Sequence, residues 1–172
     1  KLDVNYSTPE LGLGLGVSIK TLNFRDAKSA RYTKNYGRID NELRAEAMDY
    51  HERQPWSVLV AVVFLPVDAC DDYNPKSNDV GSSFGQAVRH FRNRANRREP
   101  SDAGDLFERV FVGAYSPEPD DPWGVRFLDV MSAPPKSGRP EGASVLTLEQ
   151  VVAEIVRTYD ARNNPPFVWA GE

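Results

Sequence analysis

Between Trp56 and Pro66 the chain reads WSVLVAVVFLP, apolar at almost every position. A strand with one wet face alternates apolar and polar side chains, and this segment does not alternate. It is also far too short to cross a bilayer. It therefore predicts a central strand that needs cover on both faces, and helices supply that cover in α/β folds.

The remaining segments fit that frame. KLDVN at the start alternates and reads as a short strand with Lys1, Asp3 and Asn5 on one face, YSTPE as a turn, and LGLGLGVSIKTLNF as a second strand paired with the first. RDAKSARYTKNYGR has no apolar period and reads as an exposed loop. RIDNELRAEAMDYHERQ places Ile39, Leu43, Ala47 and Tyr50 at helical spacing before Pro55. SSFGQAVRHFRNRANRR predicts a second helix, with Phe84, Val88, Phe91 and Ala95 as its buried stripe. LFERVFVGAYS and WGVRFLDVMS read as strands, and TLEQVVAEIVRTYDAR as a last helix opened by a capping box of Thr147 and Gln150. The order ββαβαββα predicts an α/β fold, a central mixed sheet flanked by helices, as one domain over residues 1–172.

Composition removes some chemistries. The single cysteine, Cys70, excludes an internal disulfide and a cysteine-based zinc cluster. No stretch is long and apolar enough for a membrane span, and a cytoplasmic protein is expected. The net charge of −4 does not advertise a polyanionic partner. Its distribution is uneven, however: Arg89, Arg92, Arg94, Arg97 and Arg98 crowd the second predicted helix, while the segment after residue 100 is acidic.

The second strand carries an unusual face. Leu11, Leu13, Leu15, Val17 and Ile19 fall on one side, Gly12, Gly14, Gly16, Ser18 and Lys20 on the other. Glycine weakens a strand interior, so such a run implies close approach by a ligand, another backbone or a packed helix. Hairpin pairing brings Asp3 towards Lys20 on the same side. A carboxylate and an ammonium beside a bare surface suit Mg²⁺ and phosphate, because magnesium takes oxygen ligands and keeps waters.

An Asp on a short strand, a turn, a longer strand ending in a triplet with lysine, then a helix, resembles the PD-(D/E)XK superfamily of restriction-endonuclease-like nucleases. The matching residues are Asp3 and Ser18-Ile19-Lys20, and the resemblance covers roughly residues 1–68. SIKTLNFRD and RYTKNYGRIDNELRAEAMDYHERQP also look similar to restriction-endonuclease sequences. Leu2 stands in place of the family proline, and Ser18 in place of the second metal-binding acid. The resemblance implies that the missing carboxylate comes from the following helix, as in Ser-x-Lys members. Glu46 is the first choice, Glu42 the second, and Glu10 in the turn a weaker one. It also implies a helix preceding Lys1, or a larger parent protein.

What the resemblance implies in function is a Mg²⁺-dependent DNA endonuclease of restriction or phage-defence type, with Mn²⁺ as a substitute. Asp3 and Glu46 (or Glu42) would hold the metal, with backbone oxygen near Ile19 completing the shell. Lys20 would position or activate water beside Ser18. Arg25, Lys28, Arg31, Lys34 and Arg38, interleaved with Tyr32 and Tyr36, would touch phosphates of double-stranded DNA, although a solvated loop has the same composition. Two copies acting together, or other domains of a defence protein, are expected partners. A nuclease-like domain that only binds DNA or a protein is the alternative, motivated by Ser18; a protein-interaction domain is a third reading. His51 is expected at a helix end, where it complements the helix dipole. His90 and Cys70 have no catalytic partner in sequence.

Overall fold

β3 (Val58–Pro66) occupies the middle of a five-stranded sheet, with every residue from Val58 to Val63 buried. A computed structural model describes residues 1–76 and 80–163. Ahead of β3 lie β1 (Val4–Thr8), β2 (Gly12–Thr21) and α1 (Tyr36–Arg53). After it come α2 (Ser83–Phe91), β4 (Arg109–Tyr115), β5 (Val125–Asp129) and α3 (Leu148–Arg162). Spatial order follows chain order, β1-β2-β3-β4-β5. The two outer pairs are antiparallel, and β2–β3 and β3–β4 are parallel. The parallel crossovers run through α1 and α2, the layered arrangement that a strand apolar on both faces demands.

Alternate residues of β3 serve two cores. Leu59, Ala61, Val63 and Leu65 meet Ile39, Leu43 and Ala47 of α1 and Phe84, Val88 and Phe91 of α2. Val58, Val60 and Val62 meet Phe111, Phe127 and Val151, with Ile155 and Tyr159 of α3 against them. Each fully buried Leu or Phe contributes about 1.5–3 kcal/mol relative to exposure. Thr147 and Gln150 form the expected reciprocal cap on α3, and Ser82 caps α2 by accepting the Gly85 N–H.

Several boundaries differ from the sequence reading. β1 begins at Val4 and runs through Tyr6–Thr8, so the turn shrinks to Pro9–Leu11, and Asp3 stands in the bend before the strand. α2 stops at Phe91; Arg92–Arg94 form a single 3-10 turn, and Asn96 takes a positive φ of 79°, which no helix continues through. Ala95 is buried as expected, but outside the helix. On α1 the buried stripe ends on His51, with Tyr50 half-buried beside it.

The strict alternation of β2 also breaks. Tyr6 pairs with Leu15 while Ser7 pairs with Leu13, so Gly14 is an extra residue, a bulge. Leu13 therefore packs with the α1 core, and Leu15 and Val17 with the α3 core. A bulge shifts every side chain before it to the opposite face.

Candidate active site

Beyond the bulge, Gly16, Ser18 and Lys20 lie level with Leu59, Ala61 and Val63, on the sheet face covered by α1. Gly16 is not bare. A Cβ there would stand 2.4 Å from Leu2 Cδ1 and 2.9 Å from Leu59 Cδ2. The glycine admits Leu2, which is buried over the strand and steers the chain into Asp3. The open surface expected from sequence is thus filled by the protein's own side chain, and the site lies further along β2.

There, α1 lowers Glu46 onto the strand. Ser18 Oγ donates to Glu46 Oε2 at 2.5 Å, and Lys20 Nζ donates to Glu46 Oε1 at 2.7 Å. Ser18 is fully buried, and the Lys20 and Glu46 side chains are 14% and 15% exposed. Low exposure limits solvent screening, so this pair attracts more strongly than a surface one. One carboxylate on the helix after β2 thus answers both polar side chains of the strand.

Asp3 is tied to the same stretch from the β1 side. Its N–H donates to the Val17 carbonyl at 2.9 Å, and its Oδ2 accepts the Ile19 N–H at 2.6 Å. In an extended strand the N–H and C=O of one residue point to the same edge, so the Ile19 carbonyl faces the side where Asp3 lies. The Ile19 side chain is exposed. Asp3, Ser18, Lys20 and Glu46 are therefore brought into one neighbourhood, linked through successive residues of β2.

Other candidates fall elsewhere. Glu42 is exposed and pairs with Arg38 at 2.6 Å, one turn along α1 from Glu46. Glu10 stands in the hairpin turn, at the opposite end of β2 from Lys20. Among the described residues, no group of three or more His, Cys, Asp or Glu side chains converges as a metal cage.

The basic loop divides. Arg31 and Tyr32 are buried, a correction to the expectation that they touch phosphates. Arg31 NH2 donates to the Gly81 carbonyl at 2.6 Å and lies 3.7 Å from Asp72, and the Tyr32 N–H donates to Ser83 Oγ at 3.1 Å. The segment entering α2 covers them, from about fifty residues away in sequence. Arg25, Lys28, Lys34 and Arg38 remain exposed. Lys34 pairs with Asp26 at 3.2 Å. The Ser29 backbone N–H, then Lys34, hold the Asp26 carboxyl down to about 2.

A second polar cluster had no signal in sequence. Glu108 is buried just before β4, where it accepts from Arg97 at 3.0 Å, Arg162 at 2.9 Å and the Leu59 N–H at 2.7 Å. His51 Nε2 lies 3.6 Å from it, and His51 Nδ1 is 3.0 Å from the Gly104 carbonyl. Burial alone would raise the Glu108 carboxyl, but His51, the Leu59 N–H and Arg97 together hold it below the usual range. His51 sits in the last turn of α1, as expected, and there it also borders the buried Glu108 cluster. Cys70 is buried, which pushes its thiol up to about 12 and leaves it inert. Comparison of the chain with protein families, with curated proteins and with solved structures found no match to any of them.

Proposed function

We propose that this chain is a metal-dependent DNA endonuclease with a restriction-endonuclease-like core, of restriction or phage-defence type. The observation that carries the reading is Glu46, which bridges Ser18 and Lys20 from the helix after β2. That is where a Ser-x-Lys nuclease needs its displaced acid. The hairpin, the α1 crossover and the parallel β2–β3 pair also agree with the core of that superfamily.

The donor set fits Mg²⁺, or Mn²⁺ in its place. Asp3 and Glu46 offer carboxylates and Ile19 a carbonyl, all hard oxygens, and two carboxylates leave room for the waters magnesium retains. Bound there, the metal supplies charge neutralisation at a phosphodiester and a more acidic water. The chain's own residues do the rest. Ser18 fixes the rotamer of Glu46, and Glu46 aims the Lys20 ammonium. Lys20 then orients water and balances negative charge as water adds across the P–O bond. Asp3, held by two backbone bonds to β2, needs no reorganisation to act. Double-stranded DNA is the substrate of this reading, and a homodimer would cut both strands.

Lys20→Ala and Asp3→Ala, purified folded, are expected to lose Mg²⁺-dependent cleavage of plasmid DNA by at least about a hundredfold. Full activity in either variant ends the proposal. A second reading, a nuclease-like domain that binds DNA or a partner protein without cutting, is motivated by Ser18, which stands where the family's second metal-binding acid belongs. Salt-sensitive, metal-independent DNA binding by an uncleaving wild-type chain would select it.

A further inference from the structure

At the other end of the sheet, a cavity of about 870 Å³ opens where β3 and β4 begin and α3 ends. Val58 and Val63 of β3 mark the two ends, roughly 16 Å apart along the strand at 3.3 Å per residue. The cavity is therefore separate from the Ser18–Lys20–Glu46 site. Its size lies within the roughly 300–1,000 Å³ of small-ligand sites. Five arginines line it, Arg97, Arg98, Arg109, Arg157 and Arg162, against the three glutamates Glu99, Glu108 and Glu154.

The charge imbalance reaches the buried wall. Arg97 and Arg162, with side chains 1% and 7% exposed, both spend their charge on the single carboxylate of Glu108. Arg97 Nε and Arg162 NH1 are buried with no hydrogen-bond partner among the described residues. Two buried guanidiniums on one carboxylate leave a positive excess that favours an anion in the adjoining space. At the rim, Arg98 makes no ion pair among the described residues, its Nε resting on Asn96. Arg109 and Arg157 already share Glu154, and Arg109 also holds Asp129. Trp56 lines the same space with 66% of its surface exposed. An exposed indole beside arginine forks is a platform for a flat ring carrying phosphate.

We propose that this cavity binds a nucleoside phosphate, free or as one residue of a single strand, with its phosphate towards Arg98 and Arg157 and its base on Trp56. The proposal is independent of cleavage at Lys20. The test titrates the full chain, in EDTA, with dAMP, with inorganic phosphate and with a short oligodeoxythymidylate, following tryptophan fluorescence and calorimetry. dAMP is expected to bind saturably with quenching and at least tenfold more tightly than phosphate. Trp56→Ala should remove the quenching and weaken dAMP about tenfold or more. Arg98→Ala, at an exposed position that folding tolerates, should weaken it severalfold. Oligonucleotide binding a hundredfold tighter than dAMP assigns the site to a strand, and equal binding assigns it to a free nucleotide. Equal affinity for phosphate and dAMP, no saturable binding, or unchanged binding in both Trp56→Ala and Arg98→Ala overturns the proposal. The dAMP titration, repeated on Trp56→Ala and on wild type in the cleavage buffer, keeps this outcome apart from that of the cleavage assay, because Trp56→Ala should lose dAMP affinity and keep Mg²⁺-dependent cleavage.

Discussion

The Glu46 carboxylate and the Lys20 ammonium meet at 2.7 Å across the helix–sheet interface, 26 residues apart in the chain. On the same helix Glu42 and Arg38 meet at 2.6 Å, but with side chains 40% and 59% exposed. The two pairs share length and charge and differ in burial. Exposed i,i+4 pairs are worth about 0.3–0.5 kcal/mol, so a double-mutant cycle on Arg38 and Glu42 should return that. The Lys20–Glu46 cycle should exceed about 1 kcal/mol and should resist added salt, as poorly screened pairs do. Urea denaturation of the four single alanine variants and the two doubles measures both. Equal coupling in the two pairs would contradict the packing described for the site.

Ser18 gives a graded variant of the same site. It donates to an ionised carboxylate from full burial, a bond of the stronger class. Ser18→Ala should cost about 1.5–3 kcal/mol and free Glu46 to rotate. Cleavage should fall less than in Glu46→Ala, because Lys20 still restrains Glu46 from one side. An order of effects with Ser18→Ala worse than Glu46→Ala would mean that the hydroxyl, and not the carboxylate, is the acting group.

Gly16 guards the position of Asp3. Its α hydrogen faces Leu2 and Leu59, with no room for a methyl between them. Gly16→Ala should cost about 1–3 kcal/mol by overpacking. Leu2, outside any strand, gives way more easily than Leu59 in the sheet centre, so the bend at Asp3 should move. Hydrogen exchange at the Ile19 amide, which Asp3 accepts, should quicken while that at Val60 stays slow. No change at Ile19 would show that Leu2 does not position Asp3.

Much of this was legible from residue spacing alone. Period two puts Gly16, Ser18 and Lys20 on one face, while a helix carboxylate over them, Glu46 before Glu42, follows from the nuclease resemblance and not from spacing. Unbroken apolarity marked β3 as central. What escaped was non-local. The bulge at Gly14 has no residue signature distinct from its neighbouring glycines, so period two alone places Leu13 on the wrong face. Arg31 and Tyr32 read as loop cation and aromatic because their cover, Gly81–Ser83, comes about fifty residues later. Glu108 has the look of a strand-edge acid until Arg97 and Arg162, 11 and 54 residues away, converge on its Oε1. Burial decided by distant segments leaves no periodic trace.

Glu108 links acid stability to that cluster. Its carboxyl is held below its usual range in the folded protein, so its stabilisation is fully present above about pH 4.3, the unfolded value. It is lost as pH falls through the lower folded value. Glu108→Ala, which leaves two buried guanidiniums without a counter-charge, should cost about 3–5 kcal/mol at neutral pH. In Glu108→Gln the loss of stability between pH 5 and the folded value should be shallower than in wild type. Parallel curves of unfolding free energy against pH would remove Glu108 from this role.

The loop cations separate binding from folding. Arg25, Lys28, Lys34 and Arg38 are exposed, while Arg31 is buried against the Gly81 carbonyl and Asp72. If the loop lies along DNA, Lys28 is the clearest reporter, because its ammonium is exposed and forms no ion pair among the described residues. Lys28→Ala should leave stability within about 0.5 kcal/mol of wild type. It should weaken DNA binding equally across sequences and reduce the salt slope of log affinity by about 1. Arg31→Ala should do the opposite. It should cost about 1–3 kcal/mol in stability through the lost buried bond, and leave the salt slope of the remaining folded protein unchanged. A salt slope altered by Arg31→Ala and not by Lys28→Ala would mean that the segment over Arg31 opens to receive DNA, and that the loop engages phosphate in a different conformation.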